Sequence, residues 1–189
     1  MALVYIISFL QMRDYFLSTN HVCLEKGPQF RELSLLKGDR AIPRTIKFIP
    51  NVDFPEPSHK DYSTVNYWMG VTGLRFHPDR SELAYSQRCF IEEIAYYFAG
   101  KTPTTIYLKG SELRAIVQGL LPRWRVVDFE EKLEISEEDR ERYECERHWR
   151  WTPMAPSRFH HCTITKVMAL RKQVLESRHL NLKNLKLKF

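Results

Sequence analysis

Apolar residues recur along this chain with two periods, and the period changes mark its elements. Leu3–Leu10 (LVYIISFL) is apolar almost without a break and rich in β-branched and aromatic residues. That pattern predicts a strand buried on both faces, the central strand of a sheet. The polar run Arg13–Asn20 predicts a loop. Gln29–Leu36 alternates, with Phe30, Glu32, Ser34 and Leu36 on one side and Arg31, Leu33 and Leu35 on the other. A turn at Lys37-Gly38-Asp39 and a short strand at Arg44–Ile49 follow. Leu3–Leu10, Gln29–Leu36 and Arg44–Ile49 then read as three consecutive antiparallel strands.

Beyond the proline-rich stretch Pro50–Pro57 the period lengthens. Lys60–Val71 predicts a helix ending at Gly73. Tyr85–Ala99 predicts a stronger one, with Phe90, Ile91, Ile94, Ala95, Tyr97 and Phe98 on its apolar face and Gly100 after it. Thr104–Leu108 is a strand by its β-branched content. Ser111 caps a helix running to Leu120, and Arg125–Phe129 is a further strand. The last helix is expected over Thr163–Leu175. Leu180–Phe189, where Leu alternates with Asn and Lys, reads as a loose basic tail. Three antiparallel strands followed by alternating helices and parallel strands define an α/β domain built on a mixed sheet with flanking helices. The division expected is one domain over residues 1–175 and a basic C-terminal tail over 176–189.

Composition narrows the class without naming a function. A 43% hydrophobic and 28% charged chain of 189 residues has the balance of a single globular domain with its own core. No signal peptide or membrane span is expected, since the longest apolar run falls short of the ~20 residues a membrane helix needs. The expected location is intracellular, in cytoplasm or nucleus, where clustered cysteines point to metal rather than disulfide. The formal charge of +6 is uneven, because Glu130–Glu141 is strongly acidic and the remainder is more basic than the total. A basic face admits phosphate contacts, and a solvated surface accounts for it equally.

Candidate chemistry concentrates in Cys145–Cys162, CERHWRWTPMAPSRFHHC, which holds two cysteines and three histidines. Cys145 and His148 form a C-x-x-H pair, and Cys162 adds a second thiol. Thiolate and imidazole are the donors tetrahedral Zn²⁺ prefers. The fourth position is open to His160, to His161 or to a residue far upstream. Aromatic and basic residues interleave at Trp149-Arg150 and at Arg123-Trp124-Arg125, the pattern that stacks bases and pairs phosphates. Arg171 and Lys172 make the last helix basic. Cys23 and Cys89 read as buried thiols, and Asp128 as a strand-end acid facing solvent or capping a turn.

The ordered set of features resembles the maelstrom domain, an RNase H-like fold related to exonucleases with a DEDDh active site. Those features are an apolar first strand (Leu3–Leu10), Arg31-Glu32-Leu33 on the second strand, a strand ending in Lys109-Gly110, Val127-Asp128, the Cys145/His148 pair and the later Cys162. The similarity spans about Leu3 to Leu175. It implies a structural Zn²⁺ held by Glu32, Cys145, His148 and Cys162, although the gap from His148 to Cys162 is longer than the family pattern and keeps His160 and His161 as rivals to Glu32. It also implies loss of the ancestral two-metal chemistry, which needs gathered carboxylates. The related exonucleases carry D-x-E on the first strand, whereas Tyr5–Gln11 has no acid. The function implied is a binding module for single-stranded RNA or a protein partner, in RNA silencing or a mobile-element or viral setting, with Trp149, Arg150, Arg171 and Lys172 as candidate nucleic-acid contacts. The alternatives are an active nuclease using Asp128 and a structural component of a larger assembly.

Overall fold

The computed structural model describes residues 13–25, 27–49, 59–72, 74, 76, 83–142 and 162–186. The expected central strand Leu3–Leu10 lies outside them. Among the described residues the strands are β1 (Tyr15–Leu24), β2 (Gly27–Lys37), β3 (Arg44–Ile49), β4 (Tyr85–Ser86), β5 (Thr105–Leu108) and β6 (Arg125–Asp128). The helices are α1 (His59–Thr72), α2 (Cys89–Phe98), α3 (Ser111–Leu120), α4 (Glu137–Arg142) and α5 (Thr163–Lys186).

The six strands form one sheet in the order β4-β3-β2-β1-β5-β6. β1, β2 and β3 pair antiparallel, and β5 and β6 add parallel to β1. The architecture is therefore an α/β mixed sheet, antiparallel then parallel, with flanking helices. β1 stands between β2 and β5, the position expected of Leu3–Leu10. The loop expected over Arg13–Asn20 is thus a strand from Tyr15 onward. Its polar residues misled because one face of β1 is lined by Ser18 and Asn20, which stand opposite the buried Ser34 and Glu32 of β2.

Two helical layers cover the sheet. On one face Phe90, Ile94 and Phe98 of α2 and Leu113 and Val117 of α3 pack on Leu17, Leu33, Leu35 and Ile106. On the other, Val167, Met168, Leu170 and Val174 of α5 pack on Phe16, Leu36 and Phe129. α1 closes the far end of β1, setting Val65 and Trp68 against Val22 and Leu24. Trp124, flanked by two arginines in sequence, is buried edge-on to Tyr15 and Phe98. It is a core residue and not a base-stacking platform.

The β1–β2 register shifts once. Asn20 pairs with Glu32 and His21 with Phe30, which leaves Arg31 as the extra residue of a bulge. Strict alternation puts Phe30 beside Glu32; the bulge carries Phe30 to the opposite face, stacked on Phe90 at 3.7 Å. Arg31 itself is buried, and its guanidinium donates to the Phe48 carbonyl. Helix α5 continues past Leu175 to Lys186, so residues expected in the tail are helical.

Candidate functional site: a buried polar face beneath the last helix

Antiparallel partners share a sheet face. Below the apolar pair Phe16–Leu36, the cross-strand rows under α5 turn polar: Ser18–Ser34–Thr45, then Asn20–Glu32–Lys47. Glu32 is 2% exposed, Ser34 0% and Lys47 6%. A carboxylate this deep requires hydrogen-bonded company, because its desolvation is otherwise prohibitive.

That company is continuous. Asn20 Nδ2 donates to Glu32 Oε2 at 3.2 Å, and Thr163 Oγ1 donates to the same oxygen at 3.4 Å. Ser34 Oγ donates to Thr163 Oγ1 at 2.8 Å and lies 2.9 Å from Thr45 Oγ1. Lys166 Nζ donates to Asn20 Oδ1 at 2.7 Å. Asn20 therefore spends its amide donor on the carboxylate and its oxygen on the ammonium, which fixes its orientation. Lys166 is half-buried as a residue, but its ammonium end is enclosed. Burial brings its pKa down to about 8, against the opposing fields of Glu32 and Cys162.

Cys162 immediately precedes α5 and is buried. It lines, with Glu32, Arg44, Lys47, Tyr85 and Thr163, a cleft of about 450 Å³. Of the four residues the resemblance assigned to zinc, two therefore meet on one cleft, although Glu32 and the adjoining Thr163 are 131 residues apart in sequence. Cys145 and His148 lie outside the described residues, as do the rivals His160 and His161 and the aromatic–basic pair Trp149-Arg150.

The other singled-out residues lie elsewhere. Arg171 Nη1 donates to the Arg40 carbonyl at 2.6 Å, and Lys172 Nζ pairs with Asp139 at 3.2 Å. The acidic segment thus neutralises part of the basic helix. Asp128 Oδ1 accepts the Gly110 amide at 2.8 Å, fixing the turn into α3 where Gly110 has φ +113°. Asp14 is buried just before β1 and pairs with Arg178 at 2.7 Å.

A second constellation escaped the sequence reading. Cys23 is exposed, not buried; its Sγ donates to Glu112 Oε2 at 3.1 Å. His21 Nε2 is 3.7 Å from the same oxygen. Although the residue is exposed, partial desolvation of its sulfur and the neighbouring Glu112 push the Cys23 thiol up to about 11, and burial lowers the His21 pKa. The available signal was H-x-C within a strand, which sets two ligand types on one face. It was missed because periodicity assigns no element to His21–Cys23 and Cys23 reads as a buried thiol. Cys89, expected to be buried, is half-buried against the edge of the core.

No protein-family model matches this chain, and comparison with curated proteins finds no relative. The class is therefore defined by the molecule itself: an α/β domain whose mixed sheet carries a buried polar face opening on a cleft. Among the described residues no helix is long and apolar enough to cross a membrane.

Proposed function

We propose that this chain is a catalytically degenerate RNase H-like domain, similar to the maelstrom domain, that holds a structural Zn²⁺ through Glu32, Cys145, His148 and Cys162. It serves as a binding module for single-stranded RNA or a protein partner. The observation that carries this reading is the convergence of Glu32 and Cys162 on one cleft from opposite parts of the chain. The donor chemistry suits zinc, since a carboxylate oxygen is an acceptable ligand beside thiolate and imidazole. Asn20 and Thr163 hold Glu32 Oε2 as outer partners hold metal-bound carboxylates. Two thiolates and a carboxylate around Zn²⁺ leave a net charge of about −1, which the adjacent Lys166 ammonium complements. When bound, the metal would tie β2 to the start of α5. The strand order, with a central β1 between antiparallel and parallel neighbours, also suits the RNase H-like assignment.

The nuclease alternative gains Asp14, an acid one residue before β1. Three acids on or beside the described sheet are nonetheless committed separately: Asp14 to Arg178, Asp128 to Gly110, Glu32 to Asn20 and Thr163. Two-metal catalysis needs such carboxylates gathered on shared cations.

Metal analysis of the purified full chain tests the proposal. Cys162→Ser should lose a zinc equivalent and melt lower, and a chelator should mimic it. Glu32→Gln should weaken the metal less than Cys162→Ser, while His160→Ala and His161→Ala should retain it. Loss of zinc in either histidine variant, with retention in Glu32→Gln, would exchange the fourth ligand; retention in Cys162→Ser would remove the site. Affinity for single-stranded RNA should fall steeply with salt, and Arg171→Ala/Lys172→Ala should flatten that slope. No binding at any salt leaves the protein-partner reading.

A further inference from the structure

His21, Cys23 and Glu112 form a cluster on the sheet face opposite the polar cleft. β1 alternates, so His21 and Cys23 project to one side, and α3 brings Glu112 over them in its first turn. One ligand atom from each lies within 4.8 Å of the others. A tetrahedral zinc with bonds of ~2.0–2.3 Å sets its ligand atoms ~3.3–3.8 Å apart. The Sγ–Oε2 and Nε2–Oε2 separations of 3.1 and 3.7 Å bracket nearly that edge length. The third pair, Sγ and the imidazole nitrogen, lies within the same 4.8 Å, so the three donors face one point.

The imidazole is also oriented for ligation. Thr19 Oγ1 lies 3.0 Å from His21 Nδ1, and the His21 ring packs on Phe30 at 5.3 Å between centroids. A hydrogen bond at one ring nitrogen is the usual way a ligating histidine is held with the other nitrogen toward its metal. Here the nitrogen turned to Glu112 is Nε2.

We propose that His21, Cys23 and Glu112 form a second divalent-metal site, selective for Zn²⁺ and similar borderline ions, with Thr19 as the positioning residue. Thiolate and imidazole select such ions against Mg²⁺ and Ca²⁺, which take oxygen ligands. Binding displaces the Cys23 thiol proton, now donated to Glu112, into solvent, and Sγ and Oε2 exchange their hydrogen bond for two bonds to the metal. Three protein donors leave one coordination position to water.

The test follows alkylation of Cys23 by iodoacetamide in the full chain, read by peptide mass with and without saturating Zn²⁺. Zinc should slow Cys23 modification at least ~10-fold, and Mg²⁺ should not. Glu112→Gln should remove most of the protection, and Thr19→Val should raise the zinc concentration needed ~10–100-fold while leaving full protection at saturation. The same protection should persist in Cys162→Ser, which separates this site from the one proposed above. Cys23→Ser, at an exposed position, should fold normally and bind one zinc fewer than the wild type. Equal Cys23 reactivity with and without zinc, or unchanged zinc content in Cys23→Ser, overturns the proposal. Protection that survives Glu112→Gln and His21→Ala together overturns it as well.

Discussion

At the scale of single residues, Asn20 is the bridge on which the buried polar face depends. It holds a carboxylate with its NH₂ group and an ammonium with its oxygen. Leucine fills a similar volume and offers neither bond. Asn20→Leu should therefore leave Glu32 and Lys166 each short of a buried partner and destabilise the fold by about 2–5 kcal/mol. Urea denaturation measures this, with Ser18→Ala, one row away at a half-buried position, as the milder comparison. Glu32 shows what was legible at this scale and what was not. Its x-E-L setting marked it as a candidate, yet on alternation alone a strand glutamate also suits a half-exposed face. Its burial is set by α5, whose Thr163 and Lys166 arrive from far along the chain. No local pattern encodes that meeting. The alternation likewise misassigned Phe30, because a bulge inserts a residue that hydropathy does not reveal.

At the scale of elements, β2, β3, β5, β6, α1 and α3 follow from periodicity within a residue or two of their ends, while β1, the start of α2 and the end of α5 do not; the helix expected from Tyr85 begins at Cys89, and Tyr85–Ser86 pairs with β3 as β4. The failures at β1 and α5 have different causes. β1 carries Ser18, Thr19, Asn20 and His21 in succession, and only tertiary partners make that run a strand. The Leu/Lys alternation after Leu180 resembles a strand by period, yet Leu and Lys are both strong helix formers, and α5 propagates through them. The short helix α4 illustrates a local determinant that is visible once its cap is seen. Ser136 Oγ accepts the Asp139 amide at 3.1 Å and donates to its carboxylate at 2.6 Å. Asp139 then reaches Lys172 on α5. The Ser136 hydroxyl first, and Lys172 with it, hold the Asp139 carboxyl below its usual value of 3.8. A depressed carboxylate pKa contributes stability that is present above the unfolded value and lost as pH falls through the folded one. Asp139→Asn should thus lower the melting temperature modestly at pH 7, by an amount equivalent to less than about 1 kcal/mol. Wild type and variant should converge as the pH falls through the depressed folded value; a gap that persists in acid would place the stabilisation in the amide cap rather than the charge.

At the scale of the whole molecule, the two ends of the described chain are bound to each other. Arg178, near the C-terminal end of α5, pairs with buried Asp14 at 2.7 Å. Its guanidinium also lies 5.0 Å from the Tyr107 ring centroid, and Tyr107 in turn stacks on Phe16 at 5.6 Å. One cation therefore links α5, the start of β1 and β5, at the point where the antiparallel and parallel halves of the sheet join. Sequence periodicity suggested that the domain ends at Leu175, and nothing in a local window connects residue 178 to residue 14. A chain terminated after Leu175 would keep Val167, Met168, Leu170 and Val174 on the core but leave Asp14 buried without Arg178. The loss should be about 2–3 kcal/mol, between the values for exposed and fully buried ion pairs. Truncation alone would also shorten a helix, so the pair is isolated by a double-mutant cycle. Arg178→Ala and Asp14→Ala should each destabilise the full-length protein, and the double variant should cost clearly less than their sum. Strict additivity in that cycle would show that α5 beyond Leu175 is held by its own packing and not by the ion pair that joins Arg178 to Asp14.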